Sequence, residues 1–63
     1  MKYGARIYKV KNTILVKQTV LKGTPPEYVV DADRNGDQIE RHVKLSDDKA
    51  IADAVRAALA GSL

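Results

Sequence analysis

The chain has no cysteine. Disulfides, thiolate zinc sites, iron–sulfur clusters and cysteine nucleophiles are therefore excluded, and the absence fits a cytoplasmic protein. It has no long apolar run. The longest strongly apolar stretch is Ile14-Leu15-Val16, against the ~20 residues that a spanning helix needs, so no membrane span is expected. Met1 and Lys2 are not followed by an apolar segment, so no signal peptide is expected. There is one histidine, His42, with no convergent set of acids or further histidines in the sequence around it. No nucleophile-elbow, phosphate-loop or dinucleotide fingerprint occurs, and no catalytic pair of carboxylates. A chain of 63 residues does not readily enclose a substrate pocket of ~300 Å³ or more. These absences point to a non-enzyme without a cofactor or bound metal.

Acidic residues are also missing from one part of the chain. Residues 1–26 carry Lys2, Arg6, Lys9, Lys11, Lys17 and Lys22 and no acid, a charge of +6. Residues 27–63 carry five cations against eight acids, a charge of −3, and the whole chain has a formal charge of +3. One part of the molecule should attract polyanions and the other should not.

What is present describes one small domain over residues 1–63, with 44% hydrophobic and 30% charged residues. Residues 5–10 and 13–22 read as strands joined at Lys11-Asn12. With Val10 opposite Ile14, the period of two places Tyr8 and Val10 beside Ile14 and Val16. It leaves Ile7, Leu15 and Leu21 on the other face. Gly23-Thr24-Pro25-Pro26 is a break. Residues 27–33 and 37–45 read as a second hairpin about Asn35-Gly36, the preferred pair for a tight primed turn. In that hairpin Ala32 faces Ile39, Val30 faces Arg41 and Tyr28 faces Val43. The same register opposes Asp31 to Glu40, a like-charge conflict.

Residues 47–60 read as a helix with Ser46 as N-cap, Asp47 and Asp48 in the first turn, and Gly61 just past the end. Ile51, Ala54, Val55, Ala58 and Leu59 form one apolar stripe, expected to lie on the sheet through Ile51, Val55 and Leu59. Six alanines between residues 50 and 60 favour helix and permit a close approach. The expected fold is α+β: a four-stranded antiparallel sheet of two hairpins followed by one C-terminal helix on one face, in the order β-β-β-β-α. The second sheet face and the small core call for further burial, so a homodimer or a bound partner is expected.

Asp31-Ala-Asp33-Arg-Asn35-Gly36-Asp37 resembles the opening of an EF-hand calcium loop. The bidentate glutamate that such a loop needs at its twelfth position is replaced by His42, and an ordinary turn is the better reading. The basic hairpin is the stronger signal. Lys2, Tyr3, Arg6, Lys9, Lys11, Lys17 and Lys22 are the candidate nucleic-acid-binding residues. Cations neutralise phosphates, and Tyr3 is the ring more available to stack on a base, Tyr8 being assigned to the apolar face. In layout the chain is similar to small single-strand-binding coactivator modules, which dimerise and use curved sheets, although no motif of theirs is present. The alternative is a protein-interaction module, such as a phage or bacterial accessory protein, docking through an apolar sheet face.

Overall fold

The computed structural model describes residues 1–63. Strand β1, Tyr3–Val10, and strand β2, Thr13–Lys22, form a long antiparallel hairpin. β2 is the central strand. Both β3, Glu27–Val30, and β4, Glu40–Lys44, pair antiparallel with its far side. Helix α1, Asp48–Leu59, covers one face. Four antiparallel strands and one C-terminal helix make the small α+β fold that the sequence pattern predicts.

The register of the first hairpin differs from expectation by one residue. Val10 pairs with Thr13, not Ile14. The turn is the two-residue Lys11-Asn12, and Lys11 takes the left-handed conformation with φ 55°. Left-handed backbone in a two-residue turn matches the right-handed twist of the strands it joins. Because the side-chain period is two, this shift exchanges the faces of β1. Ile7 now lies on the helix side opposite Val16. Tyr8 lies opposite Leu15 on the side away from the helix, and is not a core residue.

The second hairpin is also corrected. β3 and β4 do not pair with each other. β3 follows β2 over residues 19–22 and β4 over residues 13–17, so the two form one interrupted edge. Residues 31–39 leave that edge as a loop closed by a single bridge, Ala32 to Gln38. The break falls at Gln18. Its backbone N–H donates to the Ile39 carbonyl at 2.9 Å, and its carbonyl accepts from Asp31 N–H at 2.8 Å. Each of its main-chain groups thus reaches one limb of the loop. The Gln18 side chain is 0% exposed. Its amide nitrogen donates to Asp31 Oδ2 at 3.0 Å, and its amide oxygen accepts from Arg41 Nη1 at 3.0 Å. A buried primary amide carries two kinds of hydrogen-bonding group, and both find partners here. Asp31 therefore faces an amide and Glu40 faces Lys17, so the expected like-charge opposition does not arise.

α1 is two residues shorter than expected and begins on a different cap. Asp47, not Ser46, is the N-cap, with its carboxylate accepting from Ala50 N–H at 3.0 Å. At the other end Gly61 has φ 70°. Its N–H donates to the Ala58 carbonyl and that of Ser62 to the Ala57 carbonyl, the paired bonds of a Schellman ending. Ala54 and Ala58 are the residues of α1 that are buried, against Ile14 and Val16, with Ala5, Val43, Ile51 and Val55 packed around them. Leu59 does not seat on the sheet as expected: it is 53% exposed. The predicted stripe spans more than a third of the helix circumference. Ala54 and Ala58 lie at one edge of that stripe and let the backbone approach the sheet there, which leaves Leu59, at the opposite edge, out on the flank.

Candidate nucleic-acid interface

Alternation sorts the strand residues onto two surfaces. The surface away from α1 carries Gly4, Arg6, Tyr8 and Val10 from β1. β2 adds Thr13, Leu15, Lys17, Thr19 and Leu21. Tyr28 and Val30 come from β3, and Glu40, His42 and Lys44 from β4. Three cations, Arg6, Lys17 and Lys44, share this face with one acid, Glu40. The other seven acids lie elsewhere. Glu27 pairs with Lys22 on the helix side, Asp31, Asp33 and Asp37 belong to the loop, and Asp47, Asp48 and Asp53 belong to the helix and its cap.

Arg6 and Lys17 are directly opposite each other. Like charges so placed repel, and their heads diverge. Arg6 Nη2 reaches across the sheet to the Tyr28 carbonyl at 3.0 Å, while Lys17 Nζ donates to Gln38 Oε1 at 3.1 Å. Lys17 Nζ also stands 5.8 Å from the centroid of the Tyr8 ring, within cation–π range. The Tyr28 ring lies beside Gly4. A Cβ on Gly4 would come within 2.7 Å of Thr19 Oγ1 and 3.4 Å of Tyr28 Cδ1. A side chain at this position would crowd the Thr19 hydroxyl and rest in ordinary contact with the ring. Tyr8 and Tyr28 are 43% and 45% exposed, so each keeps part of its ring open to solvent.

The seven candidate residues are thus divided. Arg6 and Lys17 meet on the open face. Lys11 occupies the hairpin turn. Lys9 lies opposite Ile14 and Lys22 opposite Glu27, both on the helix side. Lys2 precedes β1, and its carbonyl accepts from Leu21 N–H. Tyr3 is on the helix side and partly buried. Its ring lies against Gly61, where a Cβ would come within 2.3 Å of Tyr3 Cε2. On β1 the ring exposed on the open face is that of Tyr8, not Tyr3. Tyr28 and Lys44 join the face although the sequence pattern did not single them out. Finding them requires β3 and β4 to pair with β2, which no local signal states.

Other polar clusters have local structural roles. Asp33 Oδ1 accepts from Asn35 N–H at 2.8 Å and Asp37 N–H at 3.1 Å, so this carboxylate shapes the turn. His42 Nε2 is 3.3 Å from Glu40 Oε1 on the open face. On the outer surface of α1, Lys49 Nζ donates to Asp53 Oδ2 at 2.8 Å. That hydrogen bond raises the Lys49 pKa and lowers that of Asp53. No helix is long and apolar enough to cross a membrane. No family model matches the chain, and no curated protein and no solved structure matches it.

Proposed function

We propose that the chain is a non-catalytic nucleic-acid-binding module that uses the sheet face turned away from α1 and prefers unpaired strands. The observation that supports this reading is the grouping of Arg6, Lys17 and Lys44 with the half-exposed rings of Tyr8 and Tyr28 on one surface. Cations neutralise phosphates and release their counterions. Aromatic rings stack on bases of any identity. Inside a duplex the base faces are covered by their neighbours, so rings lying along a sheet reach them in an unpaired strand. Lys11, in the turn at one end of the hairpin, extends the basic surface beyond the strands. The acidic loop and helix lie off this face and leave its charge largely uncompensated.

The test is an electrophoretic titration of the protein against single- and double-stranded DNA and RNA at two salt concentrations. Single-stranded ligands should bind more tightly, and affinity should fall steeply as salt rises. A module that docks on a protein through apolar surface would show little salt dependence in binding its partner. Absence of nucleic-acid binding at the lower salt, where attraction is strongest, would overturn the proposal.

A further inference from the structure

The free edge of β1 is the largest unsatisfied feature of the fold. β1 has eight residues, pairs with β2 on one side, and has no strand on the other. An exposed edge strand is a template for another chain, and folded proteins usually blunt it with charged side chains, proline, a bulge or a covering segment; of these β1 carries only charge, at Arg6 and Lys9. β1 contains no proline and keeps an unbroken register from Tyr3 to Val10. Ile7 in its middle is 55% exposed.

The ladder determines which groups face outward. Leu21 N–H donates to the Lys2 carbonyl, so Lys2 and every second residue after it point their main-chain groups toward β2. The N–H and C=O of Tyr3, Ala5, Ile7 and Lys9 therefore point to the open edge. We infer that this edge pairs antiparallel with the same edge of a second copy, with Ile7 facing Ile7 across a two-fold axis.

Parity and charge select that register. Outward-pointing residues must face outward-pointing residues, so the pairing can shift only in steps that preserve odd with odd. Ile7 on Ile7 places Ala5 opposite Lys9, Arg6 opposite Tyr8, and Gly4 opposite Val10. It uses residues 4–10 of both chains and adds about six backbone hydrogen bonds. The step that faces Ala5 with Ile7 puts Arg6 directly opposite Arg6, a destabilising pair. The step that faces Tyr8 with Tyr8 pairs only residues 6–10. In the favoured register each Arg6 stem passes a Tyr8 ring, while its guanidinium is held away from the edge by the Tyr28 carbonyl.

The surfaces on either side of the edge agree. α1 begins beside the turn, where Leu45 N–H donates to the Asn12 carbonyl, and ends beside Tyr3. In a right-handed helix running that way, Val55 and Leu59 follow the buried Ala54–Ala58 line around to the flank above β1. Pairing two β1 edges brings Ile7 and the Leu59 flank of both copies together between the helices, where exposed apolar surface becomes buried. It also joins the two open faces into one continuous basic surface. The inference concerns the ligand-free protein and stands apart from the proposed nucleic-acid binding.

The experiment is sedimentation equilibrium of the ligand-free chain between 1 and 100 µM, repeated with Ile7→Lys, and oxidative cross-linking of two single-cysteine variants. The chain has no cysteine of its own, so each cross-link reports one position. Directly facing residues of a hydrogen-bonded pair lie ~5.5 Å apart at Cα, within disulfide reach. Wild type should sediment as a dimer. Ile7→Lys should raise the dissociation constant at least tenfold while the circular-dichroism spectrum is unchanged. Ile7→Cys should cross-link at least tenfold faster than Arg6→Cys. A wild-type monomer throughout the range overturns the inference. So does a dimer indifferent to Ile7→Lys, or faster cross-linking through Arg6→Cys, which would mark the shifted register. A monomer that still binds nucleic acid with steep salt dependence would remove the edge pairing and leave the proposed function in place.

Discussion

Arg41 donates one hydrogen bond to the buried amide oxygen of Gln18 at 3.0 Å and another, at 2.9 Å, to the carbonyl of Ser62 beyond the helix. One guanidinium thus ties the centre of the sheet to the chain that follows α1. Gln18 in turn holds Asp31. The sheet edge, the loop 31–39 and the C-terminal segment meet at this point.

Gln18→Leu keeps the volume and removes both polar partners from Asp31 and Arg41. The two charged groups then lose hydrogen bonds that are typically worth ~1.5–3 kcal/mol each, while regaining part of that from water because both are only partly buried. The variant should lose about 1.5–3 kcal/mol in urea denaturation. A loss below about 0.5 kcal/mol, the usual scatter of surface substitutions, would show that water replaces the network at no cost.

The seating of α1 on alanine gives a second expectation. Ala58 has no exposed surface, whereas Leu59 is half exposed. Ala58→Leu should overpack the helix–sheet contact and cost about 1–3 kcal/mol. Leu59→Ala in the monomer should cost less than about 1 kcal/mol, since about half of the side chain is already in water. Thermal or urea melts at low protein concentration separate the two.

Charge substitutions should divide by face. Arg6→Gln, Lys17→Gln and Lys44→Gln should each weaken single-strand binding. Each lost phosphate contact should flatten the slope of log K against log salt by about 0.7. Lys9→Gln and Lys22→Gln, on the helix side, should leave both affinity and slope nearly unchanged. Fluorescence titrations across a salt series measure both quantities. Equal effects from the two faces would mean that binding follows net charge alone.

The tyrosines should divide in the same way. Tyr8→Ala and Tyr28→Ala should each reduce single-strand affinity by about 1–3 kcal/mol if each ring stacks on a base, with a smaller effect on duplex. Tyr3→Ala should leave affinity unchanged and lower stability instead, because its ring packs on Gly61 at the end of α1. Binding isotherms and melting curves on the same three variants distinguish contact from support.

Much of the fold is decided locally. The helix follows from its alanines, its acidic first turn and Gly61, all features of neighbouring residues. The β1–β2 hairpin follows from two β-rich runs separated by a short polar turn, and the basic character of residues 1–26 is plain in the sequence. Local patterns did not decide which way those basic residues face. A one-residue change in turn length exchanges the faces of β1, and Lys11 is not a residue whose left-handed conformation is anticipated from its type. The Asn35-Gly36 signal correctly marks a turn, yet hairpin propensity says nothing about which strand the flanking segments join. That choice belongs to β2, whose unpaired edge and buried Gln18 accept Asp31 and Ile39 together. The sequence by itself determined the element types and the charge of the N-terminal hairpin. Only the tertiary structure, through long-range pairing and the burial of one amide, decided that Arg6, Tyr8, Lys17, Tyr28 and Lys44 share a surface.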